Sequence, residues 1–444
     1  CYVRADYSII RSVQPRYPDG SPGELRETIA FQSLRRDAAI IININITITT
    51  NTHITTIDII IFCFITILNF ILLIGVGISM IGQNMYILNI GRLIWGIAFG
   101  SFSVVSAKYI SEIAPIEYSG TFGAMNQLSL CFGGCLPPLM ALAYPLNFGP
   151  ETDEFYLTTY WRIIWCLPIL VSVLQLTLLT CFFRHETPIF LQEQGREEEL
   201  LVVMKKFYRG MEVRRRLDAL QSQSKPKEGH ADAQEPTIVE TFFDPNIRGS
   251  AWVGFWLATF QQWTGINAVI FYSAQLFGST DGSGLSGTQV TVMINGANFV
   301  AALGGSILLG YFGRKTLMIV TQFACIVGMI GMWIFSDTFV DSDTMMYILI
   351  IAFIFAFEFG PGPIAWLYIS EVCNDKATSV NTVVNWIWTV FMSIMTLYLS
   401  EWLGGYIWFL FGCTATIGFV YILIFMKETR GVSQEKKKLL NHYI

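Results

Sequence analysis

Charge is scarce in this chain: only 14% of its 444 residues are Asp, Glu, Lys or Arg, while 53% are hydrophobic. A soluble globular protein is about a quarter charged, so the deficit excludes that class and points to a chain that lives largely in lipid. Histidine is rarer still. His53, His185, His230 and His442 are far apart and show no ligand spacing, which argues against a metal centre. The chain has no Gly-x-x-x-x-Gly-Lys-Ser/Thr loop to cradle a nucleotide's phosphates, so nothing couples ATP hydrolysis to movement. Acidic residues outnumber basic ones, 33 to 28, a balance that speaks against nucleic acid as a partner. Cys63, Cys131, Cys135, Cys166, Cys181, Cys325 and Cys413 fall inside apolar runs, where they are expected as small buried hydrophobes.

Long apolar runs are what the chain does have. Ten of roughly 20 residues, the length a helix needs to cross about 30 Å of hydrocarbon, lie near 57–82, 86–110, 120–146, 161–183, 250–277, 288–311, 317–336, 345–369, 379–400 and 405–426. Lys and Arg are missing from the connections 147–160, 278–287, 337–344 and 401–404. They gather in 184–248, at Gly313-Arg314-Lys315 and at Lys436, Lys437 and Lys438. Positive residues stay on the cytoplasmic side, so the first set of connections is expected outside and the second inside. The reading divides the chain into an anomalous N-terminal segment (1–56), an N-terminal helical bundle (57–183), a cytoplasmic helical linker (184–248), a C-terminal six-helix bundle (249–427) and a cytoplasmic tail (428–444). The first segment has no run long enough to span, ends in an Ile/Asn/Thr alternation from Ile40 to Thr56, and reads as disordered or mis-joined rather than as a secretory signal. In the linker, the spacing of Leu200, Leu201, Met204 and Phe207 predicts a short amphipathic helix.

The two bundles echo each other. Tyr109-Ile110-Ser111-Glu112 recurs as Tyr368-Ile369-Ser370-Glu371, each copy closing an apolar run. Two runs after the first copy stands Glu186-Thr187-Pro188, and two runs after the second stands Glu428-Thr429-Arg430. Duplicated apolar bundles are a hallmark of secondary transporters, whose substrate site lies between the halves near the bilayer midplane.

Amides inside the spans carry the chemistry. Gln127, Gln261, Gln262, Asn267, Asn298 and Asn385 each bring both a donor and an acceptor into a span, the combination a neutral polyol's hydroxyls need. Each such bond nets about 0.5–1.5 kcal/mol and millimolar binding needs about 4 kcal/mol, so a handful of contacts suffices. As one continuous helix, 250–277 places Gln261, Gln262 and Asn267 on one broad face. Any single amide also reads as interhelical glue; the set, with Trp366 and Trp386 to stack on a ring, favours a site. Glu358-Phe359-Gly360-Pro361-Gly362-Pro363 predicts a broken helix, with Gly360, Pro361, Gly362 and Pro363 as the hinge, because prolines delete backbone hydrogen bonds and glycines admit unusual torsions. Glu358 is expected against water or a hydrogen-bonding partner, never lipid.

Over about residues 84–435 these motifs resemble, in order and spacing, the sugar porter branch of the major facilitator superfamily. Gly91-Arg92 with Tyr109 to Pro115 is similar to that family's fourth helix and exit motif, Gln261 to Asn267 to its seventh helix, Gly360 to Trp366 to its tenth, and the two Glu-Thr echoes to the motifs after its sixth and twelfth. The resemblance implies an all-α polytopic two-bundle fold of twelve helices, the first two absent or scrambled here. It also implies alternating-access transport of a glucose-like hexose, with no enzymatic reaction and no cofactor, in the plasma membrane with the C-terminus in the cytoplasm. Its sugar contacts fall on Gln127, Gln261, Gln262, Asn267, Asn298, Glu358 and Trp366, with Trp386 nearby. Its cytoplasmic motifs fall on Glu112, Glu186, Arg314, Glu371 and Glu428, the glutamates stabilising the outward-open state. Three departures stand out: Ser119-Gly120 replaces Arg-Gly, Thr378 replaces an arginine, and Gln262-Trp263-Thr264 replaces the Gln-Leu-Ser often linked with glucose preference. Ionic pairing between the halves is therefore expected to be weak. Facilitated uniport is the leading reading. Proton symport stays open because the family pairs the arginine matching Arg92 with an aspartate on a first helix that has no counterpart here, and inositol or polyol transport, a sugar sensor and an inactive truncated product are the other readings.

Overall fold

The computed structural model describes residues 60–82, 84–114, 119–143, 159–181, 187–208, 236–245, 247–277, 287–336 and 342–432, together with 213, 217 and 340. The segment 1–56, Glu186 and the tail beyond 432 lie outside the described residues. Every regular element among those described is a helix. They are α1 (Ile60–Ile81), α2 (Met85–Ile113), α3 (Ser119–Ala141), α4 (Trp161–Cys181), α5 (Pro188–Glu193), α6 (Glu197–Phe207), α7 (Ile238–Phe243), α8 (Arg248–Trp263), α9 (Ile266–Phe277), α10 (Gly287–Tyr311), α11 (Arg314–Phe335), α12 (Asp343–Phe359), α13 (Pro361–Val372), α14 (Asp375–Leu403) and α15 (Tyr406–Phe425). Counting α12 and α13 together, eight are long and apolar enough to cross a membrane. The other two expected runs are α3, rich in small and polar residues, and the α8–α9 pair, divided into two short pieces.

Polar groups fix where helices begin. Asn84 caps α2 by accepting from the Tyr86 N–H at 2.9 Å, and Asn374 caps α14 by accepting from the Ala377 N–H at 2.8 Å. Ahead of α7, Thr237 and Glu240 cap each other reciprocally. The Thr237 backbone N–H donating at 2.6 Å holds the exposed Glu240 carboxyl below its usual range.

Two spans are broken. The expected break falls at Gly360, between α12 and α13: a Cβ there would lie 1.7 Å from Thr321 Oγ1, so only glycine lets α11 come this close. Pro361 occupies the first turn of α13, where its missing N–H goes unneeded. The second break corrects the continuous helix drawn over 250–277. Gly265 sits at φ +87, in the left-handed region, and divides α8 from α9; a Cβ on it would meet the Phe411 ring at 2.8 Å.

In the first half α1 packs along α2 and against α4. Glycine admits the close approach of α1 and α2, since a Cβ on Gly91 would fall 2.3 Å from Ser79 Oγ and 2.6 Å from the Gly75 carbonyl. A polar bond ties α1 to α4, with Ser172 Oγ donating to Asn69 Oδ1 at 2.5 Å between fully buried side chains. Interhelical bonds of this kind average about 0.6 kcal/mol, so Ser172→Ala is expected to lower the melting temperature of detergent-solubilised protein by only a few degrees; a collapse of the fold would contradict this.

The halves meet where α3 runs antiparallel to α10. Thr121 lies near Gly310 at one end and Gly134 near Asn295 at the other, with Phe132 and Phe299 rings 5.3 Å apart between them. Small residues let such helices approach. Outward faces such as Leu170, Val171 and Leu174 of α4 and Phe323 and Val327 of α11 are exposed and apolar, as lipid requires. Cys181 and Cys413 lie on such faces and Cys166 is only half-buried, correcting the expectation of burial, because an apolar run in a spanning helix has a lipid side as well as a core side. Cys131, Cys135 and Cys325 are buried.

The linker helix α6 buries Leu200, Val203 and Met204 against Phe190, Leu191 and Tyr208. Leu201, expected on that stripe, is instead exposed. Tyr208 Oη donates to the Ile113 carbonyl at 2.5 Å and so fastens the linker to the end of α2.

Candidate functional site

The intramembrane amides form two clusters joined through the broken helix. In the first, Asn267 of α9 donates to Gln262 Oε1 of α8, and Gln262 Nε2 donates to Asn385 Oδ1 of α14 at 2.8 Å. Asn385 Nδ2 donates to Gln261 Oε1 at 2.6 Å and to the Ala258 carbonyl at 3.2 Å. Gln261 Nε2 then donates to the Pro361 and Gly362 carbonyls at 3.0 and 2.9 Å. These carbonyls open α13, just after the break. The relay therefore runs from α9 to α13 without a charged group, with Gln261, Gln262 and Asn385 all buried. The α8–α9 break, not a helical face, is what brings Asn267 back to Gln262.

The second cluster spans the two halves. Gln127 of α3 donates from Nε2 to both oxygens of Glu358 of α12, at 3.1 and 3.2 Å. Glu358 is 1% exposed, which meets the expectation that it would avoid lipid. Asn298 of α10 donates to Cys131 Sγ of α3 at 3.1 Å, while its Oδ1 is buried with no partner. The clusters meet at Gly362, whose carbonyl accepts from Gln261 and where a Cβ would stand 3.0 Å from Glu358 Oε2.

Aromatic rings close one side. Trp366 of α13 and Trp386 of α14 have centroids 6.3 Å apart at 45°, and Phe99 of α2 packs edge-on to Trp386 at 6.1 Å. Trp386 Nε1 is buried without a partner. The two indoles expected to stack on a ligand lie against each other as well. Asn385 was expected in the set of span amides though not among the sugar contacts, and Cys131 and Phe99 were not expected at the site. Asn385 carried the same signal as its neighbours, an amide in a span, whereas the other two look like ordinary apolar-segment residues until α3, α10 and α14 are packed.

At the ends of α2 and α13, the repeated glutamates Glu112 and Glu371 are 8% and 4% exposed. Around Glu371 the geometry is specific. Arg314 Nη2 donates to Glu371 Oε1 at 3.0 Å and Thr429 Oγ1 donates to Oε2 at 2.6 Å. Glu428 accepts from the Arg314 and Lys315 backbone N–H groups at 2.9 and 3.0 Å, capping α11 where the helix dipole favours a negative charge. Arg430 donates to the Gly310 and Tyr311 carbonyls at the C-terminal end of α10. Lys376 donates to the Pro236 carbonyl at 2.8 Å, which engages it with the linker. Arg92 is 1% exposed, its guanidinium 4.3 Å from the Trp165 ring centroid.

A family model described as "Sugar (and other) transporter" matches residues 60–439. The chain is similar to "Hexose transporter 1" of Plasmodium falciparum, 26% identical over 377 residues that cover 82% of this chain and 74% of the relative. It is also similar to facilitated glucose transporter member 2 of Rattus norvegicus, 27% identical over 366 residues covering 80% and 67%. Among solved structures, the proton:xylose symporter XylE of E. coli, bound to 6-bromo-6-deoxy-D-glucose, superposes with a TM-score of 0.72 at 20% identity, covering 95% of this chain and 91% of that one. The fold is thus of the major facilitator type.

Proposed function

The chain belongs to the sugar transporter family, and from that premise we propose that it carries a hexose across the membrane by alternating access, as a facilitated uniporter in the plasma membrane with its C-terminus in the cytoplasm. The observation that carries this reading is the uncharged amide relay from Asn267 to the Gly362 carbonyl, which abuts Gln127 and Glu358 where the halves meet. Such a lining offers paired donors and acceptors to hydroxyls and no positive counter-ion to an anionic solute. Gln127, Gln261, Gln262, Asn267, Asn298 and Glu358 hold the sugar, and Trp366 and Trp386 cover its apolar face. Hinge residues Gly360, Pro361, Gly362 and Pro363 let α13 move with the sugar, so that site and hinge are one element.

Proton-coupled transport is the second reading, favoured by one observation: Glu358 is a carboxyl enclosed beside the amides, with Gln127 bridging it to the other half. Labelled D-glucose uptake into proteoliposomes separates the two. Uniport gives equilibration and counterflow at equal pH, with no accumulation when an inward proton gradient is imposed. Accumulation above equilibrium under that gradient identifies symport, and sugar binding without flux identifies a sensor.

A further inference from the structure

Resting on the hexose reading above, we propose that the Cys131 thiol is a positioning residue of the site, a placeholder that holds the amide of Asn298 while no sugar is present and yields it to a sugar hydroxyl. Cys131 is 2% exposed and stands on α3 at the contact between the halves. Its sulfur accepts from Asn298 Nδ2 at 3.1 Å and, at 3.7 Å, from the same Gln127 Nε2 that serves Glu358. Sulfur is a weak acceptor, so the Asn298 amide is aimed but poorly satisfied, whereas Gln127 is held by both oxygens of Glu358 at 3.1 and 3.2 Å.

A second observation points to a ligand at the same place. Asn298 is 5% exposed, and its Oδ1 has no partner. Buried polar atoms are nearly always paired. A hydroxyl group supplies what is missing on both sides: its proton goes to Asn298 Oδ1, and its oxygen accepts the amide N–H that the sulfur held. The thiol keeps the Asn298 amide from turning to a stronger internal partner in the empty site, and loses little when it leaves.

The placeholder role raises KM in the serine variant and lowers it in the alanine variant, a pair of signs that a structural role does not give and a direct sugar contact reverses. Cys131→Ser puts a stronger acceptor beside the Asn298 amide, so KM for D-glucose in proteoliposomes is expected to rise roughly three-fold with the maximal rate unchanged. Cys131→Ala removes the competitor, and KM is expected to fall by a similar factor. Cys135→Ala, one helical turn along and outside the site, leaves both values as they were. An alanine variant with raised KM would show that the thiol itself holds sugar and would overturn the proposal, as would a serine variant with unchanged KM, the arm that decides the matter if the alanine variant does not fold. Absence of glucose flux in the unaltered protein would instead overturn the hexose reading beneath it.

Discussion

Gln262→Ala is expected to lower the hexose kcat/KM of the protein in proteoliposomes by about ten- to hundred-fold, mostly through KM. Gln262 is the only described residue that bonds both Asn267 and Asn385: it accepts from one and donates to the other. Truncation therefore removes one sugar contact and strands two amide groups, Asn267 Nδ2 and Asn385 Oδ1. The sugar hydroxyl that loses Gln262 is left unsatisfied in the bound state at a cost of about 1–3 kcal/mol, and a tenfold change in affinity is about 1.4 kcal/mol. Water entering the space recovers part of that, which sets the lower end of the range. Asn385 retains its bonds to Gln261 and to the Ala258 carbonyl, so the helix packing survives and the variant should elute as folded protein. Hexose uptake equal to that of the unaltered protein would remove Gln262 from the site.

That prediction was within reach of the sequence, since Gln262 is an amide in a span beside two others, but its route through Asn385 was not. The period of apolar residues fixes spans and faces, and the ten expected runs coincide with the helices or helix pairs described. The break at Gly360 was legible because two prolines and two glycines fall together and each removes or loosens backbone structure. The break at Gly265 was not, because a single glycine in a helical pattern costs only about 1 kcal/mol and is commonly tolerated; what forbids a side chain there is the Phe411 ring, from a helix almost 150 residues later. Cys131 shows the same limit. In sequence it is a small apolar residue, and only the contact of α3 with α10 puts its sulfur against Asn298. Glu428 was visible as one half of a repeated motif, yet its work as the cap of α11 depends on the chain returning from α15 to the Gly313 turn, where a Cβ would collide with its carboxylate at 2.3 Å.

Arg314→Met is expected to destabilise the protein by about 3–5 kcal/mol, the cost of leaving one member of a buried ion pair without its partner, while Arg314→Met combined with Glu371→Met restores most of it. Arg314 and Glu371 side chains are only 6% and 4% exposed at their 3.0 Å contact. Taking both charges out of water offsets most of their attraction, so an apolar pair of similar volume is close to neutral overall. Thermal unfolding of the two single variants and the double variant in one detergent measures the coupling; additive losses would show that the two charges do not depend on each other. The folded double variant then isolates the functional role. Glu371 ends α13, the helix that begins at the Gly360 hinge, and its bond to Arg314 ties that end to α11, while Thr429 and Glu428 tie both to the segment after α15. With the ion pair replaced by apolar contact, α13 is expected to swing more readily on its hinge and the resting population to shift toward the cytoplasm-open state. Accessibility of single introduced cysteines from the two sides of the membrane reads that shift directly. Labelling indistinguishable from that of the unaltered protein would confine Arg314 and Glu371 to holding the fold together and leave the hinge governed by the sugar site alone.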